Sequence, residues 1–221
     1  MPEPLALGVL LSGSGTNLQA LIDAIAARRL DARIAVVISN LPNAVGLERA
    51  RRHGLAAIAL SHRDAPSREA YDRQLVDLLR AHGVRLVVLA GFMRLVTPVL
   101  LDAFPGSVVN VHPALLPAFP GLHAERQALE HGVRVTGVTV HFVDEETDHG
   151  PILAQAAVPV FSDDTEATLH ARVQRQEHRL YPFAIQLIAE GRVRIEGRRV
   201  VVDGATTDAD AALANPDCSA A

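Results

Sequence analysis

Residues 5–17 read LALGVLLSGSGTN. Leu5–Leu11 is an apolar run with no polar alternation, the pattern of a strand covered on both faces, and it meets a glycine-rich turn at once. Leu18, Leu21, Ile22 and Ile25 then recur at helical spacing. Strand, tight turn and helix form the opening unit of a parallel sheet, and the unit repeats down the chain. Ile34–Ile38 is the next strand, followed by a helix near Gly46–His53 and a strand at Ala56–Leu60. Tyr71, Leu75, Leu78, Leu79 and His82 mark one face of another helix, and Leu86–Ala90 and Val108–Val111 add further strands. The fold class is therefore α/β, a doubly wound, mostly parallel Rossmann-like sheet.

Beyond residue 135 the pattern changes. Thr136–Val143 and Ile152–Phe161 follow one another without a helix, so they pair as antiparallel C-terminal strands. Asp163 with Glu166 has the spacing of a capping box opening a long C-terminal helix, whose inward face is Leu169, Val173, Leu180, Ala184, Leu187 and Ile188. Arg192–Ile195 and Arg198–Val202, joined by Glu196-Gly197, read as a closing hairpin. The expected organisation is one domain over 1–203, with a disordered tail over 204–221 rich in Ala, Asp and Thr.

The 221 residues are 49% hydrophobic and 21% charged, with a net charge of −4. That is enough apolar material for a full core, and the charge argues against nucleic acid as a partner. Every one of the 21 basic residues is arginine, which removes Schiff-base chemistry and any lysine-dependent phosphate loop. The lone Cys218 cannot close an internal disulfide. The N-terminus lacks the features of a signal peptide, and no apolar run approaches membrane-spanning length. Small-molecule substrates, no membrane, and a cytoplasmic monomer or homodimer are the expectation.

Ser12-Gly13-Ser14-Gly15-Thr16-Asn17 turns the first strand into the first helix, where unpaired N–H groups and the positive end of the helix dipole favour an anion. The alternative is a plain turn capped by Thr16 or Asn17. A dinucleotide fingerprint would place a third glycine where Leu18 stands and an acid where the second strand ends in Ser39-Asn40. A phosphate monoester on a small metabolite fits better.

Ligands of open parallel sheets bind at the carboxyl ends of the strands. Unusual polar residues fall there: Gly91-Phe92-Met93-Arg94, Asn110-Val111-His112-Pro113 and Asp144–Asp148. Gln174, Glu177 and His178 come from the last long helix. Asn110 and His112 are two apart on a strand and so share a face. An amide and an imidazole aimed into one cleft can stabilise an oxyanion and manage a proton, with a carboxylate such as Asp148 orienting the ring. There is no Gly-x-Ser-x-Gly elbow and no His-x-x-x-His or His-Glu-x-x-His spacing, so neither an acyl-enzyme nor a metal site is expected. His123, His131 and His141 read as structural or surface residues.

From Leu7 to Arg194 the chain resembles the folate-dependent phosphoribosylglycinamide formyltransferases. The resemblance rests on LLSGSGTNLQALIDA, SNLPNAVGLERAR, SREAYDRQL, VVLAGFMRL, NVHPALLPAFPGLHAERQALEHG, TGVTVHFVDEETDHGPILAQ and ARVQRQEHRLYP, in that order. It implies a formyltransferase fold, 10-formyltetrahydrofolate as co-substrate and 5-phosphoribosylglycinamide as acceptor. It further implies a catalytic trio at Asn110, His112 and Asp148, and acceptor contacts at Gly15, Thr16, Asn17 and Glu177. The folate pocket would be lined by Arg68, Met93, Arg94, Leu95, Val96, Asn110, Asp144, Glu145, Glu146, Thr147 and Asp148. The chain departs from the family in the loop after the second strand, where Leu41-Pro42 stands in place of a common lysine. Methionyl-tRNA formyltransferases and formyltetrahydrofolate deformylases share this chemistry, but carry a further C-terminal and N-terminal domain respectively, for which this chain shows no room. A silent nucleotide-binding module on the same scaffold is the non-enzymatic alternative.

Overall fold

The computed structural model describes residues 3–205, 213 and 215. Strand β1 (Leu5–Leu11) is buried along its whole length. Its side chains alternate between two cores: Leu5, Leu7, Val9 and Leu11 join one, Leu10 the other. Gly8 faces the second core, and Leu79 and Val84 come so close there that a Cβ would fall 2.4 Å from Leu79 Cδ2, which leaves room only for glycine. The uninterrupted apolar run thus reflects helices on both sides of the sheet.

Helix α1 (Thr16–Ala26), strand β2 (Ala32–Ser39), helix α2 (Val45–Arg52) and strand β3 (Ala57–Ala59) follow, then helix α3 (Arg68–Ala81) and strand β4 (Leu86–Leu89). Helix α4 (Pro98–Ala103), strand β5 (Val108–His112) and helix α5 (Ala124–His131) lead to the antiparallel strands β6 (Val135–Phe142) and β7 (Ile152–Pro159). Helix α6 (Glu166–Ala189) and a separate hairpin, β8 (Val193–Glu196) and β9 (Arg199–Val202), complete the fold. The seven-stranded sheet runs β3-β2-β1-β4-β5-β6-β7, parallel from β3 to β5. The strand order reverses between β1 and β4, which places the crevice at the ends of β1, β4 and β5.

The short helices α4 and α5 are absent from the sequence reading. The expected capping box is displaced: Thr165, not Asp163, is the N-cap, and its partner is Thr168, not Glu166. Asp164 binds Arg172 (2.6 Å) and Thr168 Oγ1 (2.8 Å), so the acids before the helix serve an ion pair. The pair and its hydrogen bonds pull the Asp164 carboxyl down to about 2. On α6 the fully buried residues include Tyr181 and Ile185, while Leu180 and Ile188 are only partly covered. The expected disordered tail lies mostly outside the described residues. Within it, the Asn215 side chain donates to the carbonyls of Arg134 and Val160, both at 2.7 Å.

Candidate active site

The turn after β1 is shaped by close backbone packing. Gly15 sits at φ 71° as the N-cap of α1, and a Cβ there would lie 2.8 Å from Gly46 Cα. A Cβ on Gly46 would in turn meet Leu11 Cδ2 at 2.6 Å. The N-terminus of α2 can therefore press on the loop, and Gly46 N–H donates to Gly13 O at 3.0 Å. Among the described residues no side-chain hydrogen bond caps the N-terminus of α1, and uncapped N–H groups of this kind can receive an anion.

Thr16 and Asn17 are tied to α6. Asn17 Nδ2 donates to Glu177 Oε2 at 3.0 Å, and Gln174 Nε2 to Thr16 Oγ1 at 3.4 Å. Among the described residues Asn17 Oδ1 has no partner. Burial, aided by the charge of Glu125, raises the Glu177 carboxyl against the opposing Asn17 bond and the charge of His170.

At the end of β5, the structure brings Asn110, His112 and Asp148 together. Asp148 Oδ2 accepts from Gly121 N–H at 2.7 Å and lies 3.3 Å from His112 Nδ1; Oδ1 lies 3.5 Å from Asn110 Nδ2. Asp148 has φ 52°, a left-handed conformation that costs energy in a non-glycine residue. Burial raises its carboxyl, but the bonds to His141 and Gly121 and the charges of His112 and His141 outweigh that, and it ends below its ordinary value. His112 is 4% exposed, and its Nε2 lies 2.9 Å from Phe119 O. Only the doubly protonated ring can donate to Phe119 O and Asp148 at once.

His141 is the residue that sequence reasoning missed. It is buried and pairs directly with Asn110 across the β5–β6 ladder. Its Nε2 lies 3.3 Å from Asn110 Nδ2 and 3.7 Å from Asp148 Oδ1, while Nδ1 lies 2.9 Å from Phe142 O. Nε2 thus faces both Asp148 Oδ1 and Asn110 Nδ2: as a donor it supports the Asp148 carboxylate, and as an acceptor it orients the Asn110 amide. One N–H of Asn110 donates to Asp148 Oδ1 at 3.5 Å, a long bond that a substrate oxygen can take over. The available signal was a histidine in a strand whose other polar residues are both threonine.

The loop after β6 contributes Asp148 to this cluster. Of its other members, Glu145, Glu146 and Thr147 are exposed, and Asp144 Oδ2 holds His149 Nδ1 at 2.9 Å. Arg198, in the β8–β9 turn, donates to His149 O at 2.6 Å. After β4, Met93 and Leu95 are 64% and 56% exposed, Val96 is half-buried, and Arg94 lies 4.7 Å over the Tyr71 ring. Arg68 opens α3 one turn before Tyr71 and is exposed. Met93 N–H donates to Ser12 Oγ at 2.8 Å, which joins this loop to the turn before α1. Leu41 and Pro42 line a cleft of about 580 Å³ that also takes in Ser12, Gly13 and Ser14 of the turn after β1, with Asn40, His62 and Arg63 on its other side.

The arrangement therefore sets an uncapped helix N-terminus, an amide, an imidazole and a fixed carboxylate along one rim. Comparison with known proteins accords with this. The family described as Formyl transferase matches residues 6–185. Phosphoribosylglycinamide formyltransferase of Escherichia coli (strain K12) is 46% identical, over 89% of this chain and 92% of that protein. The trifunctional purine biosynthetic protein adenosine-3 of Drosophila melanogaster is also 46% identical, over 84% of this chain but only 14% of that longer protein. The crystal structure of glycinamide ribonucleotide transformylase 1 from Symbiobacterium toebii superposes with a TM-score of 0.90 at 55% identity, covering 91% of this chain and 95% of that one. A match that begins in β1 and runs into α6, across every segment of the rim, means that the chain belongs to the formyl transferase family.

Proposed function

We propose that this enzyme transfers the formyl group of 10-formyltetrahydrofolate to the amine of 5-phosphoribosylglycinamide, giving formylglycinamide ribonucleotide and tetrahydrofolate in purine synthesis. The single observation that carries the reading is the Asp148 carboxylate gathering His112, His141 and Asn110 at the end of β5, on the same rim as the turn before α1. Its setting is cytoplasmic, as a monomer or homodimer; among the described residues no helix is long and apolar enough to cross a membrane.

In this reading the acceptor phosphate sits on Gly15, Thr16 and Asn17, and Glu177 meets the acceptor further along. The folate donor lies against Arg68, Met93–Val96, Asn110 and the loop Asp144–Asp148. The neutral amine attacks the formyl carbon, and the C=O electrons move onto oxygen. Asn110 N–H donates to that oxyanion; one such donor is typically worth about 2.7–4 kcal/mol. His112 exchanges its Nε2 bond to Phe119 O for one to the substrate and assists the oxyanion and the leaving group, with its charge balanced by Asp148. The C–N10 bond then breaks, N10 gains a proton and the former amine loses one. Holding both substrates on one rim supplies the proximity.

The test is to mix the purified chain with 10-formyltetrahydrofolate and phosphoribosylglycinamide and to follow release of tetrahydrofolate. Release that requires the glycinamide is the expected result. Release without acceptor would assign a deformylase, and no release would assign a silent module.

A further inference from the structure

The mechanism gives no task to the most deeply buried carboxylate residue among the described residues. Asp72, on α3, is 2% exposed. Its Oδ2 accepts from Thr97 N–H at 2.6 Å and from Thr97 Oγ1 at 2.8 Å. Burying a carboxylate is unfavourable unless it is fully hydrogen-bonded, and an apolar side chain would fill such a space at lower cost. Burial does raise the Asp72 carboxyl, and the Thr97 bonds and Arg94 oppose the rise. The compensation thus comes from one short segment, the loop between β4 and α4.

That loop is pinned at both ends. Ser12 Oγ accepts Met93 N–H at 2.8 Å at its start, and Asp72 holds Thr97, the N-cap of α4, at its finish. Between these anchors Arg94 rests on Tyr71, the neighbour of Asp72, and Met93 and Leu95 project outward. Apolar side chains held out on a doubly tethered loop form a preorganised wall for a flat, partly apolar ligand.

From this geometry we infer that Asp72 is a positioning residue for donor binding: it fixes the Met93–Val96 wall against which the folate donor stacks, without touching the donor. The inference rests on the proposed reading of that wall.

The test is steady-state kinetics with both substrates varied, on Asp72→Ala, Thr97→Val and Asp72→Asn. Asp72→Ala is expected to raise the KM for 10-formyltetrahydrofolate about tenfold or more, the range expected when hydrogen bonds to a charged group are lost. Its kcat and the acceptor KM should stay within about twofold. Thr97→Val, which loses only the hydroxyl bond, should raise the donor KM about threefold, and Asp72→Asn should fall closer to wild type because the amide oxygen still accepts from Thr97. A donor KM unchanged in Asp72→Ala, or kcat and both KM values shifting together, would overturn the inference. If Asp72→Ala does not fold, Thr97→Val decides by the same split, with calorimetric binding of tetrahydrofolate as the second measurement. Leu95→Asp separates the two layers. A donor KM unmoved by Leu95→Asp removes the wall itself. A donor KM raised by Leu95→Asp but not by Asp72→Ala leaves the wall and removes the role of Asp72.

Discussion

Around Asp148 the active rim is held by side chains; around Gly15 it is held by backbone. Asn110, His112, His141 and Asp148 come from β5, β6 and the loop after β6, and each contacts another of the set within 3.7 Å. The turn before α1 owes its shape to two glycines in contact, leaving its first-turn N–H groups for a ligand. The first region is suited to moving charge, the second to receiving a charge that does not change. Substitutions should therefore separate turnover from acceptor binding.

The largest effect is expected at the side-chain cluster. Asp148→Ala and His112→Ala should lower kcat by about a hundredfold to ten-thousandfold, the usual worth of general acid–base assistance. Both KM values should change only a few-fold, as read from steady-state kinetics. Asn110→Ala should lower kcat by about a hundredfold to a thousandfold, the loss typical of one oxyanion donor. At the turn the failure should look different. Gly15→Ala places a Cβ 2.8 Å from Gly46 Cα in a left-handed residue, a strain of about 1–3 kcal/mol. Its acceptor KM should rise about tenfold with a smaller change in kcat, and its Tm should drop.

Two smaller effects follow from the carboxyls. The Glu177 carboxyl is raised in the fold, so its contribution to stability is present at low pH and lost as pH rises through the folded value. Glu177→Gln does not suffer that loss, and its Tm relative to wild type should be higher at pH 8 than at pH 4. Asp148 has the opposite sign. Its lowered carboxyl stabilises the fold above the ordinary carboxylate range, and that contribution fades as pH falls below about 4. Asp148→Asn should therefore show a flatter Tm profile than wild type on the acid side.

How much of this was legible beforehand follows the same division. Strand β1 and the turn after it were readable because a parallel strand buried on both faces is apolar throughout and the glycines follow directly. Asn110 and His112 were readable because residues two apart on one strand share a face. His141 was not, because its nearness to Asn110 depends on the antiparallel register of β5 and β6, which no local pattern encodes. The capping box slipped because Asp163–Glu166 and Thr165–Thr168 both satisfy the spacing, and the choice went to the ion pair of Asp164 with Arg172. Helix α4 is too short, at 6 residues, to show a period. Asp72 lay unnoticed as the polar neighbour of Tyr71, since its partner Thr97 is 25 residues away.

The most direct measurement is single-turnover formyl transfer by Asp148→Asn, with the dissociation constants of both substrates measured on the same variant. The account predicts near-normal binding of donor and acceptor with a transfer rate reduced at least about a hundredfold. A variant that binds both substrates and transfers the formyl group at the wild-type rate would contradict it.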